Sequence, residues 1–134
     1  IRFGPGVTRE VGYEMARLGA RRVMLVVDPH LAEGEAVATA RASLLAAGID
    51  AVTYDGVRCE PTDVSFKAAI RFASEGNFDG YVAVGGGSTM DTAKVANLYT
   101  SYPADFMAYI NAPIGEGRIV PGPLKPLIAC LVAA

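Results

Sequence analysis

The sequence is poor in the residues from which metal sites and nucleophile sites are built. It has a single histidine, His30, and two cysteines, Cys59 and Cys130. One histidine excludes a His-rich metal site, and no Ser-His-Asp or Cys-His set can be assembled around it. His30 follows Pro29 and reads as a surface residue in a turn. The two cysteines lie far apart with no metal-ligand spacing. They read as buried thiols of a reducing compartment rather than as a disulfide or a nucleophile. Neither sign of charge dominates: 12 Lys and Arg stand against 14 Asp and Glu, for a net charge of −2. That balance makes no electrostatic case for a nucleic-acid partner. No apolar run approaches the ~20 residues of a membrane span.

What is present is a globular composition, 51% hydrophobic and 19% charged over 134 residues. That is enough for one domain with a real core. Ile1-Arg2-Phe3 reads as a short strand and Gly4-Pro5-Gly6 as a turn. Thr8 suits an N-cap for a helix to about Leu18, with Val7, Val11, Met15 and Leu18 on one face. Arg22 to Asp28 is the cleanest strand, and the continuous apolar run within it suits a parallel strand buried on both faces. A helix from about Glu33 to Ala47, a strand from Ile49 to Tyr54 and an irregular stretch from Val57 to Pro61 follow. Thr62 or Asp63 caps a helix to about Ser74, with Phe66, Ile70 and Ala73 on one side. Beyond the next strand and helix, Asp105 to Ile110 reads as a short helix, Asn111 to Pro126 as a loop and Leu127 to Leu131 as a final strand. This alternation predicts an α/β fold, a doubly wound parallel sheet with right-handed crossovers, as a single domain over 1–134. Such sheets take ligands at the carboxyl ends of their strands, where Asp28 and Gly85 fall.

The stretch of most chemical interest runs from Tyr81 to Lys94. An apolar strand enters Gly85-Gly86-Gly87-Ser88, and a helical pattern leaves it. Strand, glycines and helix in that order make a phosphate cradle: the backbone can approach an anion, and the first-turn N–H groups and helix dipole favour it. Ser88 is expected to cap the helix and offers a hydroxyl to phosphate. The stretch is neither a G-x-G-x-x-G fingerprint, since Met90 occupies the third small position, nor a Walker A loop. A tight turn without a ligand is the alternative, although a turn needs one glycine, not three. Asp28 can accept both hydroxyls of an adenosine ribose, or it can serve only as a cap before Pro29. In the usual order such an acid follows the glycines by ~20 residues; here it precedes them by far more, so a variant strand order is expected. Asp91 completes a Ser-x-x-Asp resembling a capping box, and local capping competes with ligand contact. Lys94 is placed to pair with Asp91 rather than with phosphate.

Gly85-Gly86-Gly87-Ser88-x-x-Asp91-x-x-Lys94 with Asp28 upstream resembles the iron-containing (group III) alcohol dehydrogenases. Tyr54-Asp55-Gly56-Val57-Arg58, Glu60-Pro61-Thr62-Asp63 and Asn111-Ala112-Pro113-Ile114-Gly115 are similar to the hydroxyacid-oxoacid transhydrogenase branch of that family. The resemblance implies a two-domain oxidoreductase with a Rossmann-like NAD domain and a helical domain holding iron or another divalent metal through one Asp and three His. It implies hydride transfer from 4-hydroxybutyrate to 2-oxoglutarate through bound NAD, giving succinate semialdehyde and 2-hydroxyglutarate. It implies a mitochondrial enzyme, or a cytoplasmic one in a bacterium, with small hydroxy acids and oxo acids as partners and a homo-oligomer left open. By position, Asp28 would hold the adenosine ribose. Gly85, Gly86, Gly87 and Ser88 would bind the pyrophosphate, with Asp91 at the same site. Glu60, where many relatives have Asn, would lie near the adenine.

Two departures qualify this. The family continues after Ile128-Ala129 with a Pro-Thr-Thr-Ser-Gly-Thr-Gly-like loop, where this chain reads Cys130-Leu131-Val132-Ala133-Ala134. The metal-binding residues have no counterpart. The chain is therefore expected to be a processed, truncated or partial form, inactive alone for want of a Lewis acid. The alternative is a non-catalytic nucleotide-binding or interaction module derived from such an enzyme. A response-regulator-like or flavodoxin-like domain is a weaker option, since the acidic cluster for Mg²⁺ is missing.

Overall fold

Among the described residues, four strands form one wholly parallel sheet, with helices on both of its faces. The computed structural model describes residues 7–58, 62–109, 117 and 119–132. After a 3-10 turn at Val7–Glu10, the elements are α1 (Val11–Arg17), β1 (Arg22–Val27), α2 (Glu35–Ala46), β2 (Asp50–Tyr54), α3 (Asp63–Gly76), β3 (Gly80–Gly85), α4 (Gly87–Ser101) and β4 (Leu127–Leu131). Further 3-10 turns lie at Pro29–Leu31 and Phe106–Tyr109. The expected strand at Ile1–Phe3 lies outside the described residues. The expected short helix at 105–110 is a 3-10 turn in its described part.

The strand order is β2-β1-β3-β4. β1 and β3 are central and buried along almost their whole length, which explains their unbroken apolar runs. Successive side chains of β1 serve two cores. Val23, Leu25 and Val27 pack with Val11 and Met15 of α1 and Val37, Ala40 and Leu44 of α2. Met24 and Val26 pack with Ala73 of α3, Phe78, and Ala93 and Ala96 of α4. The period of two in the strand and the i, i+3, i+4 spacing in the helices meet in these layers.

Among the four α-helices only α3 has a side-chain N-cap; α1 starts after Glu10, not at the expected Thr8, and α2 after Gly34, neither with one. Thr62 and Ser65 form a capping box on α3: Thr62 N–H donates to Ser65 Oγ at 3.0 Å, and Ser65 N–H to Thr62 Oγ1 at 3.1 Å. Asn77, in the left-handed region at φ 51°, closes that helix. α4 also starts elsewhere than its sequence suggests. Its N-cap is Gly86, not Ser88, and no side chain caps it. Gly85 turns the chain at φ +154°, so the helix starts at Gly87, ahead of Ser88. Ser88 therefore stands inside the first turn, and the Ser88–Asp91 capping box is not made.

Candidate functional site

Two chain reversals meet at the carboxyl ends of β1 and β3. From β1 the chain passes through α2 to β2 on one side of the sheet. From β3 it passes through α4 to β4 on the other. The crevice between such diverging connections is the topological switch point, where open α/β sheets take ligands. The register pairs Val27 with Val84. The next residues of the two strands are Asp28 and Gly85, so residues far apart in sequence become neighbours here.

Asp28 extends the ladder by one bond, its N–H donating to the Val84 carbonyl at 3.1 Å. Its side chain caps the Pro29–Leu31 turn, with Oδ1 accepting from His30 N–H at 2.8 Å. The capping role is thus realised, and it occupies one of the two carboxylate oxygens. His30 itself is exposed.

The three glycines differ in what the fold asks of them. Gly85 must be glycine. It combines φ +154° with a position where a Cβ would lie 2.5 Å from Thr89 Oγ1 and 3.0 Å from Asp28 Cβ. Gly86 and Gly87 meet no such demand. Gly86 has φ −97°, and a Cβ built at either residue finds nothing within 4 Å. Their missing side chains leave open space directly before the first turn of α4. That turn has no side-chain cap, and its earliest internal bond is Met90 N–H to the Gly86 carbonyl at 3.1 Å. The N–H groups ahead of Met90 lie at the positive end of a 15-residue helix. Open space, uncapped donors and a helix dipole together form a cradle that an anionic group fits.

Ser88 is half-buried in that first turn, and its carbonyl accepts from Thr92 Oγ1 at 2.7 Å. Asp91 is exposed and further along the helix. No ion pair joins Asp91 to Lys94 among the described residues; Lys94 instead lines an apolar groove of about 370 Å³ with Leu98, Val120 and Leu124. That groove also touches Leu127, the first residue of β4, which places it towards the opposite end of the sheet from the switch point. Glu60 lies outside the described residues. Among the described residues, no three of His, Cys, Asp and Glu come together as a metal site. No described helix is long and apolar enough to cross a membrane. Cys130 is a free, half-buried thiol, and burial raises its pKa although a hydrogen bond with Thr8 opposes this. The residue that sequence patterns missed is Thr89, whose hydroxyl is buried and without a partner among the described residues. Only its spacing, four after Gly85, hinted at it.

The model of the iron-containing alcohol dehydrogenase family matches residues 1–134. The chain is 55% identical over 130 residues to the mitochondrial hydroxyacid-oxoacid transhydrogenases of Bos taurus and Homo sapiens, covering 96% of this chain and 28% of theirs. A probable mitochondrial transhydrogenase of Dictyostelium discoideum is 54% identical over 139 residues, covering 96% and 25%. Among solved structures, a 1,3-propanediol oxidoreductase superposes with a TM-score of 0.86 at 29% identity, over 96% of this chain and 32% of its own. An alcohol dehydrogenase from Oenococcus oeni superposes with a TM-score of 0.81 at 33% identity, over 97% and 33%. The chain therefore spans 28% of the length of the two mammalian transhydrogenases and about a third of these two structures.

Proposed function

This chain belongs to the iron-containing alcohol dehydrogenase family, and on that premise we propose that residues 1–134 are the NAD-binding domain of a metal-dependent oxidoreductase of the hydroxyacid-oxoacid transhydrogenase type. The observation that carries this is the space at Gly86 and Gly87. The fold does not require glycine at either position, yet both leave open the approach to an uncapped helix start. A dinucleotide pyrophosphate has the charge and the acceptor oxygens that such donors lack. Gly85, Gly86, Gly87 and Ser88 would hold it through backbone N–H groups and the Ser88 hydroxyl. Asp28 would accept the adenosine ribose hydroxyls with the carboxylate oxygen that the His30 N–H leaves over. Asp91, which when ionised can accept hydrogen bonds but not donate them, suits a ligand hydroxyl better than a phosphate. Glu60 remains a candidate for the adenine end. Bound NAD would supply the hydride carrier for exchange between a hydroxy acid and an oxo acid.

The residues of this chain do not fit the metal. The resemblance implies one Asp and three His; the sequence has one histidine, and it is exposed on the turn after β1. The proposal therefore assigns iron, or another divalent ion, to residues beyond this chain. It assigns the chain cofactor binding without turnover, and the mitochondrial setting of the relatives to the full-length protein.

Calorimetric titration tests the proposal. NAD is expected to bind, and to bind more tightly than NADP, because the Asp28 carboxylate repels a 2′-phosphate. Gly86→Asp places a second anion in the cradle, where the backbone and the space accept it. It should weaken NAD at least tenfold without lowering the melting temperature, since an acid at a helix start is itself stabilising. Failure of the wild-type chain to bind either nucleotide at millimolar concentration sinks the proposal.

A further inference from the structure

Thr89 occupies the floor of the switch point, and the cradle does not account for it. Its side chain is fully buried at 0% exposure, and Oγ1 has no hydrogen-bond partner among the described residues. Other threonines of α4 satisfy themselves by bonding back one turn. Thr92 Oγ1 donates to the Ser88 carbonyl at 2.7 Å, and Thr100 Oγ1 to the Ala96 carbonyl at 2.7 Å. The equivalent acceptor for Thr89 is the Gly85 carbonyl. That carbonyl belongs to the sheet and accepts from Val132 N–H at 3.1 Å. A second outlet is the bond that Ser65, at the same position in α3, makes with the N-cap N–H. Thr89 does not make it, since Gly86 has no side-chain cap partner in α4. A buried hydroxyl without a partner costs stability, so its presence calls for a partner supplied in another state.

Asp28 lies on the same side of Gly85 as Thr89. One point, the place a Cβ would take on Gly85, lies 2.5 Å from Thr89 Oγ1 and 3.0 Å from Asp28 Cβ. Both side chains thus pack on the same glycine, with no Cβ between them. Asp28 commits Oδ1 to the His30 N–H, and Oδ2 accepts no hydrogen bond among the described residues. We propose that Thr89 is a positioning residue for Asp28: when an adenosine ribose engages the carboxylate, Thr89 Oγ1–H donates to it and fixes it across the β1–β3 crevice. An ionised carboxylate is an acceptor with sites to spare, so it takes this donor together with the ribose hydroxyls. Gly85 is then glycine for two reasons, its backbone angle and the approach it allows between these two groups. The inference rests on the ribose role given to Asp28 above.

Calorimetry with NAD, and melting of the ligand-free chain, test it on T89V, T89S, D28N and the D28N/T89V pair. T89V removes the hydroxyl at nearly constant shape. It should raise the melting temperature of the ligand-free protein and weaken NAD about tenfold, the loss expected of one hydrogen bond to a charged group. T89S should restore affinity to within about twofold of wild type, which a purely packing role would not predict. In the D28N background, T89V should cost nothing further. Unchanged affinity in T89V, no rescue by T89S, or the same loss in the D28N background would each overturn the inference while leaving the NAD site intact. A lower melting temperature for T89V would also overturn it, since the hydroxyl would then already have a partner. If wild type fails to bind NAD, the function proposed above falls, and this inference falls with it.

Discussion

Gly85 joins strand geometry to helix start in a single residue. At φ +154° an L side chain is strained, and a Cβ would press on Thr89 and Asp28. Gly85→Ala should destabilise the chain by about 2–3 kcal/mol, read as a lower urea midpoint. A change within 0.5 kcal/mol would show that the turn relaxes freely. At Asp28 the two sequence-level options, turn cap and ribose acceptor, prove compatible, because a carboxylate has two oxygens and the turn uses one. Asp28→Ala therefore removes both roles. It should weaken NAD and reduce its preference over NADP, and titration with the two nucleotides checks this. Unchanged NAD affinity would remove Asp28 from the site.

The two helices that share one face of the sheet are begun in opposite ways. α3 closes its own N-terminus with the reciprocal Thr62 and Ser65 bonds, whereas α4 starts on glycines without a side-chain cap. A helix capped by its own side chains satisfies first-turn donors internally; one that starts on glycines leaves them open to water or to an anion. Thr62→Ala should cost about 1 kcal/mol of stability, measured by chemical denaturation. An unchanged midpoint would mean that the cap adds nothing to α3. The far end of α4 is anchored to its surroundings. Tyr81 on β3 hydrogen-bonds Thr100 at 2.8 Å. The buried Asn97 side chain donates to the Lys125 carbonyl at 2.8 Å and accepts from its N–H at 3.3 Å. These bonds set the path by which the chain enters β4. The expectation that Ser88 caps α4 failed because Ser is the better cap on propensity alone, while the turn at Gly85 places the N-cap two residues earlier, at Gly86.

At the scale of the whole molecule, the groups with shifted pKa values among the described residues all lie on the alkaline side. Tyr54, Tyr81 and Tyr99 are raised from 10.0, and Cys130 from 9.0, in each case chiefly by burial. The folded chain holds these protons above the pH at which the unfolded chain releases them. Their contribution is therefore constant below the ordinary thiol and phenol values and is lost as pH rises beyond them. Thermal melts from pH 7 to 11 should show a plateau to about pH 9 and a decline above it. A melting temperature unchanged to pH 11 would show that these groups are exposed. On the same scale, β4 pairs only with β3 among the described residues, and its Leu131 is exposed.

Local chemistry was sufficient for the elements and for the ends of the key strands. Residues 22–27 and 80–85 declared buried strands because apolar runs bounded by turn formers have few other uses. The same patterns placed Asp28 and Gly85 at strand ends, and the motif around Gly85 pointed to the family. Only the tertiary structure decided that these two residues are neighbours. That follows from β1 pairing with β3 instead of ending the sheet, and strand order depends on contacts between distant segments that periodicity does not encode. The fold likewise decided that Gly86 caps α4, that Gly86 and Gly87 leave open space instead of permitting a turn, and that the Thr89 hydroxyl is buried without a partner among the described residues. Burial of that hydroxyl comes from the packing of segments distant in sequence, which no local pattern encodes.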